Sequence, residues 1–282
     1  MAAPELPAWV DGRLVPHGEP ALRADDQGFT LGLAVFETLL AEDGCRYFEA
    51  EHLDRLRRGA AALDILWPAR DPAREMALFA AELDLTAPLA LRLTLSRGAP
   101  DAGSSLVISA RAVDPLPAQG IVVTVAGAKL AAGRMESIKT TGRARNVLER
   151  EAAERDGAWE ALLCTEEGDL SEGTVSNLFC VRDGVVYTPP LTRGCLPGIV
   201  RARLSALLRA EGPELVEERL FPADLGRADE VFLTNSTARL APVVEVRGIA
   251  SDLPGAEGPV LADLWSRWRR MEERYRTQVC AG

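Results

Sequence analysis

Midway along the chain, between two strand-like runs, the stretch Val113-Asp114-Pro115-Leu116-Pro117-Ala118-Gln119-Gly120 contains two prolines and a glycine. Proline has no N–H to donate and fixes its own φ. Neither a helix nor a central strand continues through such a stretch. A chain of 282 residues has room for two domains. The break therefore predicts a small N-terminal domain (1–113), a linker (114–120) and a larger C-terminal domain (121–282).

Periodicity fills in both halves. Ala8 to Val15 reads as a hairpin, with Asp11-Gly12 as its type I′ turn. Gly28 to Leu33 reads as a glycine-punctuated loop. Val35 to Leu40 is a strand, Glu42-Asp43-Gly44 turns it, and Arg46-Tyr47-Phe48 returns. Leu53, Leu56, Ala60 and Leu63 recur at helical spacing between Glu51 and Leu63. A second helix follows from about Asp71 to Leu83, then strands at Ala90–Ser96 and Leu106–Ala112. Beyond the linker, strands begin at Ile121, Trp159, Asn177, Val185, Glu230 and Val243. Helices begin near Asn146, Gly198 and Val260. Strands and helices mix without strict βαβ alternation, which predicts an α+β fold.

Of the 32 lysines and arginines, only Lys129 and Lys139 are lysines. A surface that needs only positive charge is served by arginine here. A retained lysine is a candidate for chemistry that a permanently protonated guanidinium cannot perform, such as Schiff-base formation. The net charge of −10 argues against nucleic acid or an anionic membrane as partner. Five scattered cysteines and two histidines show no metal-ligand spacing, so no metal is expected. No basic and apolar leader and no run long enough to span a bilayer is visible. The expectation is a cytoplasmic protein with reduced thiols.

Six segments occur in order: Val35-Phe36-Glu37-Thr38, His52-Leu53-Asp54-Arg55-Leu56, Ile138-Lys139, Glu172-Gly173-Thr174-Val175-Ser176-Asn177, Leu196-Pro197-Gly198-Ile199-Val200-Arg201 and Phe232-Leu233-Thr234-Asn235-Ser236. Together they resemble the class IV aminotransferase family, the fold-type IV pyridoxal-phosphate enzymes. This resemblance implies a two-domain fold like that of D-amino acid aminotransferases, with a small N-terminal α/β domain and a β-rich C-terminal one. It implies pyridoxal 5'-phosphate as cofactor, a small-molecule amine as substrate and a homodimer.

Carried onto this chain, the resemblance makes Lys139 the Schiff-base lysine and leaves Lys129 on the surface. It makes Glu172 the carboxylate at the pyridine nitrogen and Arg55 a phosphate ligand. Ser176, Asn177, the amides of Ile199 and Val200, and Ser236 complete the phosphate cup. Val200 stands where the family usually has Thr, so only its amide remains. Thr38 lies at a position implicated in lyase catalysis. The Phe-Leu-Thr-Asn-Ser text resembles aminodeoxychorismate lyases, which release pyruvate and form 4-aminobenzoate for folate biosynthesis. No Arg-x-His carboxylate trap follows Arg97-Gly98. The first expectation is therefore that lyase, with Arg97 and nearby arginines receiving a dicarboxylate. The alternative is an aminotransferase acting on a branched-chain, D-amino acid or amine substrate, and a non-catalytic relic is the third reading.

Overall fold

The computed structural model describes residues 6–130, 135 and 137–280. Two compact units emerge. Unit 1 comprises 1–114 with 138–142 and 274–282; unit 2 comprises 115–137 and 143–273.

Unit 1 runs β1 (Ala8–Val10), β2 (Arg13–Val15), α1 (Gln27–Leu31), β3 (Ala34–Glu42), β4 (Cys45–Arg46), α2 (Glu49–Ala62), α3 (Pro72–Ala81), β5 (Leu89–Ser96) and β6 (Ser105–Ala112). Its antiparallel sheet has the order β2-β1-β6-β5-β3-β4. Asp11 and Gly12 take φ of 48° and 90°, and Asp43 and Gly44 take 51° and 73°. These are the left-handed values a tight hairpin requires. The return after Asp43-Gly44 is shorter than expected: strand β4 ends at Arg46, and beyond it Tyr47 N donates to Leu40 O (2.9 Å).

The stretch expected as a loop at Gly28–Leu33 is instead mostly the short helix α1. The buried Asp26 carboxylate caps it, accepting from Gly28 N at 2.7 Å. Glycines at 28 and 32 give the segment the look of a loop, while the capping Asp26 that starts the helix precedes them.

Helix α2 buries His52, Arg55, Leu56, Gly59 and Ala60, a stripe at i, i+3, i+4, i+7 and i+8. Gly59 lets the helix approach β3, since a Cβ there would lie 3.3 Å from Val35 Cγ1. Val35, Leu39, Leu56, Ala60, Leu91 and Leu93 share one core beneath α2 and α3.

Unit 1 also takes in two segments from beyond the linker. Residues 138–142 lie along β3: Phe36 N donates to Lys139 O (2.9 Å), Thr141 N donates to Ala34 O (3.0 Å), and Val35 bridges Thr140. At the C-terminal end, Tyr275 stacks near Tyr47 and meets Phe48 edge-on, and Arg276 pairs with Asp43 at 3.3 Å. Cys45 and Cys280 are joined as a disulfide, their Cα atoms 5.2 Å apart across 235 residues of sequence. This corrects the expectation that every thiol is reduced, because folding brings together two cysteines that spacing could not pair. Cys164, Cys180 and Cys195 are free and buried.

Unit 2 runs β7 (Ile121–Leu130), α4 (Ala144–Arg155), β8 (Glu160–Thr165), β9 (Leu170–Gly173), β10 (Asn177–Arg182), β11 (Val185–Thr188), α5 (Ile199–Glu211), β12 (Leu215–Glu217), α6 (Pro222–Leu225), β13 (Glu230–Asn235), β14 (Arg239–Val246) and α7 (Pro259–Tyr275), whose last turn passes into unit 1. Its sheet, β12-β11-β10-β13-β14-β7-β8-β9, mixes parallel pairs (β11/β12, β14/β7, β7/β8) with antiparallel ones. The architecture is α+β. Among the described residues no helix is long and apolar enough to cross a membrane, and no group of His, Cys, Asp and Glu could hold a metal ion.

Candidate active site

In unit 1 the alternation of β3 sorts its side chains. Val35, Glu37, Leu39 and Ala41 face the helices, while Phe36 and Thr38 face the other way. Lys139 follows Phe36 in the added segment, and its Nζ lies 4.6 Å from the Phe36 ring centroid. Across β5, Arg92 stands opposite Thr38, and its guanidinium carbon lies 3.6 Å from the same centroid. An amine and a guanidinium thus meet on one aromatic ring, with Thr38 opposite Arg92 in register. Lys139 is half-buried, whereas Lys129 is exposed on β7.

On the helix-facing side, Glu37 is fully buried. Its Oε1 accepts Arg55 Nε and its Oε2 accepts Arg55 Nη2, each at 2.7 Å, and Oε2 also lies 2.7 Å from His52 Nδ1. Burial pushes the Glu37 carboxyl up, but the hydrogen bond and charge of Arg55, with help from His52, outweigh this and hold it at about 2. Burial lowers the His52 pKa despite the neighbouring carboxylate, so the imidazole is neutral and presents Nδ1–H to Glu37. Removing one partner of such a buried ion pair costs about 3–5 kcal/mol. Arg97, expected to face substrate, instead donates to the carbonyl of Leu63 just past the end of α2.

In unit 2, Glu172 lies on β9, nearly buried. Its Oε2 accepts Leu196 N at 2.8 Å and Asn177 Nδ2 at 3.3 Å, and Asn177 Nδ2 also donates to Leu196 O at 2.9 Å. The turn between β9 and β10 is built on Glu160, a fully buried carboxylate. Glu160 accepts from Thr174 N (3.0 Å), Ala161 N (3.0 Å), Val175 N (3.1 Å), Ser176 Oγ (2.9 Å) and the Thr174 hydroxyl. The Ser176 hydroxyl proton is therefore committed to Glu160, and toward anything else Ser176 acts as an acceptor. Burial, reinforced by the Glu172 charge, pushes the Cys195 thiol up to about 12, so it stays protonated.

Helix α5 starts at Gly198 with no side-chain cap. The amides of Ile199 and Val200 lie in its first turn, where N–H groups have no intrahelical acceptor. A Cβ at residue 198 would lie 2.0 Å from Asn177 Oδ1, so only glycine lets the helix start sit against Asn177. The Val200 side chain is buried, leaving its amide alone for any ligand. Ser236 is half-buried in the turn after β13, which Asn235 fixes by accepting from Thr237 N (3.0 Å) and Ala238 N (2.7 Å). Thr234, opposite Asn177 in register, has a buried hydroxyl with no hydrogen-bond partner among the described residues.

Residues 34–246 match the family model for amino-transferase class IV. The chain belongs to the class IV aminotransferase family. The branched-chain-amino-acid aminotransferase of Salmonella typhimurium is 30% identical over 282 residues, covering 89% of this chain and 88% of that one. The D-alanine aminotransferase of Bacillus licheniformis is 29% identical over 257 residues, covering 87% and 90%. Among solved structures, the branched-chain aminotransferase of Thermoproteus uzoniensis with norvaline superposes with a TM-score of 0.85 at 25% identity, covering 96% and 97%. This class IV aminotransferase is thus an enzyme with the fold-type IV architecture, and its cofactor is pyridoxal phosphate.

The residues present fit that cofactor. An uncapped helix start with glycine at its head suits a phosphate. A buried, oriented carboxylate suits a protonated ring nitrogen, and a half-buried lysine amine suits the aldehyde. Sequence reasoning missed Arg92, Glu37 and Glu160. The available signal was a charged residue set within or at the head of an otherwise apolar strand, in Val35-Phe36-Glu37-Thr38-Leu39 and in Glu160-Ala161-Leu162-Leu163. A charge in such a place needs a buried partner.

Proposed function

We propose that this enzyme is an aminotransferase moving an amino group from an α-amino acid with an apolar side chain to a keto acid. The observation that carries this reading is the meeting of Arg92 and Lys139 on the Phe36 ring. A guanidinium suits the substrate carboxylate, and the amine beside it suits the chemistry. Relatives named as branched-chain and D-alanine aminotransferases favour the same reading.

Pyridoxal phosphate, when bound, supplies an electron-accepting ring that stabilises negative charge on the carbon bearing the amine. Lys139 is the residue that would hold the cofactor through its aldehyde, and its amine is placed to move a proton at the carbon bearing the substrate amine. Glu172, oriented by Leu196 N and Asn177 Nδ2, is the carboxylate that would keep a proton on the pyridine nitrogen. Arg55 and the amides of Ile199 and Val200 would hold the phosphate, with Ser236 beside it, whereas Ser176 and Asn177, whose donors go to Glu160, Glu172 and Leu196 O, would shape the cup without donating to it. Thr38, opposite Arg92 in register, would lie on the substrate side of the strand. Arg92 binds the substrate carboxylate.

The sequence alone ranked aminodeoxychorismate lyase first. Two observations reverse that order. The related enzymes quoted above are named as aminotransferases. Arg97, one of the arginines the lyase reading offered to a dicarboxylate, donates to Leu63 O. Both reactions would use the same lysine and carboxylate, so the substrate pocket decides between them.

Mixing the enzyme with L-leucine or D-alanine is expected to convert bound cofactor to pyridoxamine phosphate, and 2-oxoglutarate to reverse it. In the same assay Arg92→Leu is expected to raise KM for the amino acid by about 10- to 100-fold, the worth of a charged hydrogen bond. The reading sinks if neither amino acid changes the spectrum while aminodeoxychorismate yields pyruvate without any keto acid.

The same reading includes a homodimer. Phe29 and Leu31 of α1 are 76% and 66% exposed, an apolar pair suited to burial against a second copy. Light scattering is expected to give twice the chain mass, and Phe29→Ser with Leu31→Ser to weaken the assembly. An active wild-type monomer at assay concentration would sink it.

A further inference from the structure

Arg55 and His52 sit on the buried stripe of α2, where apolar residues are the norm, and both meet one carboxylate on β3. Strand alternation aims Glu37 at the helix, and its full burial removes water as an alternative partner. The pair uses the Nε and Nη2 edge of the guanidinium, and two parallel N–H bonds fix the plane of the fork. His52 holds Glu37 Oε2 from one helical turn away, so the carboxylate is anchored from two positions on α2.

We infer that Glu37, backed by His52, is a positioning residue that sets which edge of the Arg55 guanidinium is presented to the cofactor phosphate. This rests on the reading above in which Arg55 holds that phosphate. A flexible arginine on an exposed helix would have to be ordered each time the cofactor binds. One locked to a buried carboxylate is already ordered. The ionised state of Glu37 is secure across any working pH, since its pKa lies at about 2.

The test compares ligands with and without a phosphate. Holoenzyme is stripped of cofactor and titrated with pyridoxal phosphate or with pyridoxal, for wild type, Glu37→Gln, Arg55→Gln and the double variant. Glu37→Gln is expected to weaken pyridoxal phosphate about 10- to 100-fold, the worth of a hydrogen bond to a charged group, and to leave pyridoxal within about twofold. The double variant is expected to bind no more weakly than Arg55→Gln alone, because Glu37 acts only through Arg55.

Equal loss for both ligands overturns the inference, as does a full Glu37→Gln penalty in the Arg55→Gln background. If Arg55→Gln weakens pyridoxal phosphate but Glu37→Gln does not, the phosphate reading stands and the positioning role alone falls. If Arg55→Gln binds pyridoxal phosphate as wild type does, both fall. Should Glu37→Gln fail to fold, the charge-balanced double variant and Glu37→Asp carry the comparison. Glu37→Asp keeps the charge but withdraws the carboxylate by one methylene, and it is expected to show the same selective loss for the phosphorylated ligand.

Discussion

Lys139→Arg enzyme is expected to lose at least about 10²- to 10⁴-fold in kcat, the worth of a positioned proton-transfer group alone. The guanidinium keeps the positive charge over Phe36 but remains protonated at any usable pH, so it neither bonds an aldehyde nor accepts a proton. A charge-only role would survive this substitution. The companion experiment is reduction of the holoenzyme with borohydride followed by peptide mapping. Because Lys129 and Lys139 are the only lysines, the tag has two side-chain destinations. Lys139 is half-buried beside an aromatic ring, and Lys129 is exposed on β7. A tag on Lys129, or wild-type turnover by Lys139→Arg, would remove the foundation of the proposed function.

Glu172→Gln is expected to lower kcat by on the order of 10²- to 10³-fold, comparable to the loss of one preorganised electrostatic group. The fold should tolerate the change. Leu196 N and Asn177 Nδ2 both donate to Oε2, and the amide oxygen of glutamine can take that place. What glutamine cannot supply is the negative charge that keeps a pyridine nitrogen protonated. A pH titration of the bound-cofactor absorbance separates this from misfolding, because the ring-nitrogen signature shifts only if the carboxylate faced it. An unchanged titration together with unchanged kcat would refute the assignment.

Local chemistry made several elements readable in advance. Asp11-Gly12 and Asp43-Gly44 each form the turn their sequence demands, with positive φ at both residues. The glycine-led start of α5 was equally plain, while the buried stripe of α2 was legible only in part: Leu56 and Ala60 lie on it, but Leu53 and Leu63 are half-buried and His52, Arg55 and Gly59 complete it. Other features depend on contacts far apart in sequence. Segment 138–142 joins β3 through backbone hydrogen bonds, which carry no side-chain signature. Arg92 and Arg97 look alike as text, yet the first lies over Phe36 and the second closes off α2. Strand register, not composition, separates them. Glu37 read as one letter of a motif, and its burial against Arg55 became visible only once β3 and α2 were packed.

The covalent link between Cys45 and Cys280 reaches into the denatured state as well. With it intact, the unfolded polypeptide carries a closed loop running from Cys45 to Cys280, a separation of 235 residues. Such a chain is more compact than an open coil, so it exposes less surface and gives denaturant a shallower slope to act on. Closing a loop this long also removes about 5 kcal/mol of chain entropy from the unfolded ensemble. Heating the enzyme with or without a thiol therefore compares two different unfolded polymers reached from one native fold.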